Sequence, residues 1–113
     1  MTTGIQLAFD ASDPHALARF WAEALGYDVE DHSELVGQLV AAGHMPESDV
    51  IQIDGHAAFR EVATARDPGG TRPRLFFQLV PEPKTAKNRC HLDLQVGADK
   101  AQAEAERLVG LGA

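Results

Sequence analysis

The stretch Arg74–Val96, RLFFQLVPEPKTAKNRCHLDLQV, is the part of the chain around which the rest is organised. It contains two apolar runs, Leu75–Val80 and Cys90–Val96, joined by a basic connection that carries two prolines. Short apolar runs bounded by turn residues are typical of buried strands. The second run alternates, so a strand would place His91 and Asp93 on one face and the apolar residues on the other. The stretch therefore predicts two strands, one of which has a polar face that could line a site.

Length and composition indicate one ordinary globular domain. The chain has 113 residues, of which 44% are hydrophobic and 24% charged, values that suit a single modest core. No apolar run is long enough to cross a membrane, and the first residues lack the pattern of a signal peptide. Cys90 is the only cysteine, which excludes an internal disulfide and fits a reducing compartment. We therefore expect a cytoplasmic protein without membrane contact, in which Cys90 is buried on the apolar strand face.

The charge balance bears on the kind of partner. The formal net charge is −7, and nucleic-acid binding needs a basic surface that neutralises phosphates. We therefore expect no nucleic-acid partner, whereas a cationic small molecule is compatible with this charge.

Local signals predict the other elements. Asp13-Pro14 has the pattern of an N-cap followed by proline in the first turn, and Gly26 that of a C-terminal stop, which together bound a helix over Pro14–Leu25. Asp54-Gly55 predicts a tight hairpin turn. The remaining predicted elements are strands at Ile5–Asp10, Tyr27–Glu30, Val50–Ile53 and Ala57–Ala65, and helices at Glu34–Ala42 and Lys100–Leu111.

The chain contains an internal repeat. Gln6–Gly26 and His91–Gly112 both read as a strand, a short polar turn, an amphipathic helix and a glycine. Gln6 in the first copy corresponds to His91 in the second. Repeated supersecondary units usually pack around a shared feature, so the sequence predicts two related units.

Motifs spread over nearly the whole chain carry a family resemblance. They are Phe9-Asp10, Asp13-Pro14, Ala18–Trp21, Leu25–Tyr27, Arg66–Pro68, Arg74–Gln78, Val80–Thr85, Lys87–Arg89 and His91–Leu94. With these motifs the chain resembles the vicinal oxygen chelate superfamily, which includes glyoxalase I, extradiol dioxygenases, fosfomycin-resistance enzymes and bleomycin-binding proteins. More narrowly, it resembles bacterial glyoxalase-like domains.

The resemblance implies an α+β fold of glyoxalase-like βαβββ modules, with a curled mixed or antiparallel sheet and helices on its outer face. Residues 1–82 would form the first module, and residues 88–113 would begin a second module that lacks its last strands. An incomplete module has an unpaired sheet edge, and such edges invite pairing with another chain. We therefore expect a homodimer, the alternative being that the sequence lacks a natural C-terminal segment.

The resemblance also implies where a metal would bind. Metal-dependent relatives take their ligands from the first and fourth strands of each module, positions that correspond here to Gln6, Gln78 and His91. A divalent ion such as Zn²⁺, Ni²⁺ or Fe²⁺ would act there as a Lewis acid on two adjacent substrate oxygens. One imidazole and two neutral amides are a weak set of ligands, although Asp93 could add a carboxylate or orient His91.

Two classes of function follow, with a third behind them. The first prediction is a metal-free module that binds a small molecule in the cleft of the curled sheet, lined by Gln6, Phe76, Gln78, His91 and Asp93. The alternative is a metal-dependent lyase, isomerase or dioxygenase with His91 as the anchoring ligand. A domain used only for assembly or regulation is the third. No certain cofactor and no catalytic residue can be assigned, because the weak ligand set favours the binding module.

Overall fold

The structure is a computed structural model that describes residues 2–113. The chain divides into two compact units: unit 1 extends to Pro81, and unit 2 runs from Glu82 to Ala113. The strands of unit 1 are β1 Gln6–Ala11, β2 Asp28–Val29, β3 Val50–Ile53, β4 His56–Phe59, β5 Val62–Arg66 and β6 Arg74–Leu79. Its helices are α1 Pro14–Leu25 and α2 Ser33–Ala41, with a single 3₁₀ turn at Glu47–Asp49. Unit 2 contains helix α3, Ala101–Gly110.

Four strands of unit 1 form a mixed sheet in the order β1-β6-β5-β2. β1 and β6 are parallel, whereas β5 is antiparallel to both of its neighbours. Helix α1 packs against β5 and β6. The hydrophobic core lies between α1 and the sheet and consists of Ala18, Ala22, Tyr27, Ala63, Ala65, Leu75 and Phe77. This architecture is the predicted α+β class.

Helix α1 begins and ends where its local signals predict. The Asp13 carboxylate accepts a hydrogen bond from the Ala16 N–H at 3.1 Å, which satisfies one of the free donors of the first turn. At the other end Gly26 adopts φ 71°, a left-handed conformation that glycine takes without steric cost. Small residues on the buried helix face allow α1 to lie close to the sheet.

The hairpin of β3 and β4 forms a separate two-stranded sheet against which α2 packs. Its turn is Asp54-Gly55, with φ 50° and 81°, and Ile53 pairs with His56 on either side. Two positive φ values are the mark of the turn type that suits the twist of a two-residue hairpin.

The predicted strand Ala57–Ala65 is wrong as a single element. It is divided between β4 and β5, with Arg60 and Glu61 at the break. The reason is pairing: β4 pairs with β3 in the small sheet, whereas β5 pairs with β6 and β2 in the large one.

The predicted strand Cys90–Val96 is also absent, and Cys90 is exposed rather than buried. The alternation itself persists, since Leu92, Leu94 and Val96 are half-buried and the residues between them are exposed. A strand needs a neighbour that takes up its backbone N–H and C=O groups, and within residues 2–113 no strand pairs with this segment. Helix α3 does follow it, within one residue of the predicted bounds.

Candidate functional site

The face of the four-stranded sheet that lies opposite α1 is called here the polar face. Strand alternation sends Leu75 and Phe77 into the core and leaves their neighbours on the other side. The polar face carries Gln6, Ala8 and Asp10 of β1, Arg74, Phe76 and Gln78 of β6, and Thr64 of β5. The register of the parallel strands β1 and β6 places these side chains in rows: Gln6 beside Arg74, Ala8 beside Phe76, and Asp10 beside Gln78.

Arg74 organises one end of the polar face. Its Nη1 donates to Gln6 Oε1 at 3.0 Å, and its Nε donates to Glu30 Oε1 at 2.5 Å. Burial acts to raise the pKa of Glu30, but the hydrogen bond and charge of Arg74 outweigh it and lower that pKa below its usual value. Glu30 is therefore a carboxylate at neutral pH, and it neutralises the guanidinium beside Gln6.

The same network continues to His32. The Thr64 hydroxyl is almost fully buried and hydrogen-bonds to the Glu30 carboxylate, which only accepts. Thr64 Oγ1 also forms a hydrogen bond with His32 Nε2, at 2.8 Å. Five side chains from β1, β5, β6 and the segment after β2 are thus joined in one chain of hydrogen bonds.

The opposite end of the polar face is simpler. Gln78 Nε2 donates to Asp10 Oδ1 at 2.9 Å, and the Asp10 carboxylate has no cationic partner among the ion pairs of residues 2–113. Between the two ends lies the half-buried ring of Phe76, with only the methyl group of Ala8 beside it on β1. An aromatic surface is therefore bracketed by hydrogen-bonding groups on both sides.

The structure places three of the five predicted ligand-binding residues, Gln6, Phe76 and Gln78, on the polar face. His91 and Asp93 lie in unit 2 and are exposed, and His91 Nε2 donates to the Asn88 carbonyl at 3.1 Å. Sequence reasoning missed several members of the polar face and its network. These are Asp10, Glu30, His32, Thr64 and Arg74. Period-two alternation back from Phe76 was the one signal that could have identified Arg74.

The predicted metal ligands of unit 1 do not form the donor set of a divalent ion. Gln6 and Gln78 stand four residues apart in register, which is about 13 Å along the strands. Gln6 Oε1 already accepts a hydrogen bond from the Arg74 guanidinium, which occupies this oxygen. Residues 2–113 contain no group of three or more His, Cys, Asp or Glu side chains arranged to hold a metal. A metal ion bound by Gln6, Gln78 and His91 therefore stays a prediction.

Comparison with protein families identifies the class of this fold and this sheet. The family model for the glyoxalase-like domain matches residues 6–113. The chain belongs to this family, and thus to the vicinal oxygen chelate superfamily that its motifs resemble. Neither the comparison with curated proteins nor that with solved structures gave a match.

The lengths and composition of the helices bear on membrane insertion. Within residues 2–113, none of them combines the length and the apolar character that crossing a membrane requires.

Proposed function

We propose that this glyoxalase-like domain binds a small organic molecule on the polar face without a metal ion. The observation that carries the proposal is the position of Phe76. Its half-buried ring stands in the middle of rows of polar side chains, on the face of the sheet opposite the one that packs against α1 and forms the core. Apolar surface combined with a few placed polar groups is what small-molecule sites provide.

The neighbours of Phe76 indicate the shape of the ligand. Ala8 on β1 is too small to cover the ring. Gln6 and Arg74 on one side and Asp10 and Gln78 on the other offer donors and acceptors a short distance from it. A planar or ring-containing molecule that stacks on Phe76 and carries polar groups at its periphery fits this arrangement.

Charge favours a cationic ligand over an anionic one. The guanidinium of Arg74 is neutralised by Glu30, whereas the one hydrogen-bond partner of the Asp10 side chain among residues 2–113 is the neutral amide of Gln78. A cation would therefore meet an uncompensated carboxylate and the π-face of Phe76 together. The overall charge of −7 would attract the same class of ligand.

A fluorescent planar cation, proflavine, tests this function, with anthracenecarboxylate as an anion of similar size. We expect saturable proflavine binding that Phe76→Ala weakens about tenfold, because the stacking surface is lost. Asp10→Asn should weaken it by a similar factor, since the uncompensated charge is removed. Leu35→Ala, which removes an exposed side chain on α2, is the matched control and should bind like the parent.

Two results would contradict the proposal. The first is binding that Phe76→Ala leaves unchanged. The second is binding that requires a stoichiometric Zn²⁺, Ni²⁺ or Fe²⁺, measured by elemental analysis of the same sample, which would favour the metal-dependent alternative.

The homodimer also stays a proposal, supported by the edge of the sheet. β1 is an outer strand and, among the described residues, pairs with β6 alone. Ile5, immediately before it, is 68% exposed. Open strand edges next to apolar side chains are natural sites for pairing with a second copy.

We expect light scattering coupled to size exclusion to show a dimer for the parent chain and a monomer for Ile5→Lys, because a charge at the edge opposes strand pairing. Leu35→Lys places the same charge at another exposed apolar position and should stay dimeric. A monomeric parent chain at micromolar concentration would argue against the dimer.

A further inference from the structure

A pocket in unit 1 lies beside the large sheet and is called here the edge cavity. It has a volume of about 170 Å³ and is bounded by the start of β5, the segment that follows β2, the β3–β4 hairpin and the first turn of α1. A dry cavity of about 150 Å³ is large enough to hold benzene. The edge cavity therefore has room for one ring-sized group.

The cavity exists because β2 is only two residues long. Asp28 and Val29 pair with β5, and the Glu30 N–H still bonds to the Thr64 carbonyl at 3.0 Å. Beyond Glu30 the chain turns away into α2, so among the described residues no strand lies beside Val62 and Ala63, at the start of β5, on this side. The hairpin closes the space from the other direction.

Two histidines fix the hairpin against the rest of unit 1. His15 Nε2 donates to the Phe59 carbonyl at 2.8 Å, and the His32 ring lies 5.7 Å from the Phe59 ring in a tilted arrangement. Because a carbonyl only accepts, His15 carries its hydrogen on Nε2, and its neutral ring keeps Nδ1 as an acceptor.

The chemistry of the lining combines an apolar interior with an acidic rim. Ile53, Phe59 and Val62 contribute apolar surface, and Asp31 and Asp54 contribute carboxylates. No lysine or arginine is among the lining residues of the described chain. Hydrogen bonds from the Ser33 hydroxyl and backbone N–H lower the pKa of Asp31, so it is ionised at neutral pH.

The counterions of these carboxylates are weak. Asp31 lies 3.9 Å from His56 Nδ1, which is charged only when the imidazole is protonated. Asp54 has no ion-pair partner among residues 2–113. Glu30, the third acid of the lining, is already neutralised by Arg74. Negative charge at the rim is thus available to a ligand.

From this combination we propose that the edge cavity binds an organic ammonium ion with a single apolar ring, at a site separate from Phe76. The ring would be held by the apolar lining, and the ammonium group would meet Asp31 and Asp54. An anion of the same size would be repelled by the two carboxylates, because no lysine or arginine lines the cavity to balance them. A neutral analogue would gain only the free energy of burying its ring against the apolar lining.

Three ligands of nearly equal size separate these cases: benzylammonium, benzyl alcohol and benzoate. Titrated into the ¹⁵N-labelled chain, benzylammonium should shift the amide signals of Asp54–Phe59 and bind about tenfold more tightly than benzyl alcohol, with benzoate not binding. In the double variant Asp31→Asn, Asp54→Asn, we expect that tenfold preference to disappear while benzyl alcohol binds as before. Asp99→Asn, the same charge change in unit 2, should leave the preference intact.

A filling variant tests the cavity itself. Ala58→Leu adds a branched side chain to the lining and should abolish binding of both benzylammonium and benzyl alcohol, with an otherwise unchanged pattern of amide signals. If Ala58→Leu does not fold, the double variant alone decides.

The inference is overturned if benzyl alcohol binds as tightly as benzylammonium, if no signal shifts, or if the cation shifts Phe76 and Gln78 instead of the hairpin. The last result would still agree with binding on the polar face. Conversely, loss of proflavine binding in Phe76→Ala together with benzylammonium shifts at the hairpin would show two separate sites.

Discussion

Phe77→Ala should lower the free energy of unfolding of unit 1 by about 3–5 kcal/mol, the largest change expected for a single residue. Phe77 is fully buried, and its ring stacks on Phe9 with centroids 5.4 Å apart. Truncation removes this contact and leaves a cavity between β6 and α1 that the rigid sheet cannot close. Such a loss is a large part of the stability of a typical small domain. Urea unfolding followed by circular dichroism measures it.

Two variants provide the controls, one at the adjacent residue Phe76 and one at Phe77 itself. Phe76→Ala removes the same ring from the opposite face, where it is only half-buried, and should cost less than about 2 kcal/mol. Phe77→Leu fills most of the lost volume and should cost roughly 1–2 kcal/mol. Equal losses in the two alanine variants would mean that the assignment of core and polar faces is incorrect.

Asp67→Ala should produce the second largest effect, a fall in the melting temperature on the order of 10 °C. The Asp67 side chain accepts from the backbone N–H groups of Gly69, Thr71 and Arg72, from the Thr71 hydroxyl and from the Arg72 guanidinium. It is thus the acceptor on which the turn between β5 and β6 depends. Its removal leaves several of these donors without a partner.

Arg72 transmits this effect to α1. Its Nη1 donates to the Leu25 carbonyl at 2.9 Å, and its guanidinium lies 4.6 Å from the centroid of the Tyr27 ring. The Tyr27 hydroxyl in turn donates to the Pro73 carbonyl at 2.8 Å. Loss of Asp67 therefore loosens the end of α1 as well as the turn, and Thr71→Ala, which removes one hydroxyl donor, should cost much less.

The pH dependence of the Asp67 effect has a definite sign. The hydrogen bond from the Arg72 side chain, followed by those from backbone N–H groups, holds the pKa of Asp67 well below its usual range. Its stabilisation is therefore fully present above the unfolded value of about 3.9 and is lost as the pH falls below it. The difference in melting temperature between the parent and Asp67→Ala should begin to shrink at about pH 4 and decrease progressively as the pH falls further. A difference that stays constant down to pH 2 would contradict this account, since about 2 lies well below the unfolded value.

Local sequence signals predicted the elements whose boundaries are encoded locally. Asp13-Pro14 and Gly26 bound α1, and Asp54-Gly55 makes the turn of the hairpin, because caps and tight turns depend on a few adjacent residues. The break at Arg60 and Glu61 could not be read in this way. It depends on which partner each half of the strand finds, and pairing is a long-range property.

In the candidate site, too, some residues could be predicted from the sequence, whereas others depend on long-range strand pairing. Gln6, Phe76 and Gln78 were predicted because the family resemblance places them on the strands that line the cleft. Arg74 and Glu30 were not, because their roles arise from the register of β1 against β6 and from the path of the chain after β2. For Cys90–Val96 the alternation was read correctly, but alternation alone does not supply a neighbouring strand.

Glu30 lines the edge cavity and also holds Arg74 on the polar face. One carboxylate, neutralised by Arg74, thus belongs to both proposed binding sites. A ligand that draws Glu30 toward the cavity would free Arg74 beside Gln6 and so alter the affinity of the polar face. By thermodynamic reciprocity, occupation of the polar face would alter the affinity of the cavity by the same factor. The two sites would then behave as a heterotropic pair within a single small domain.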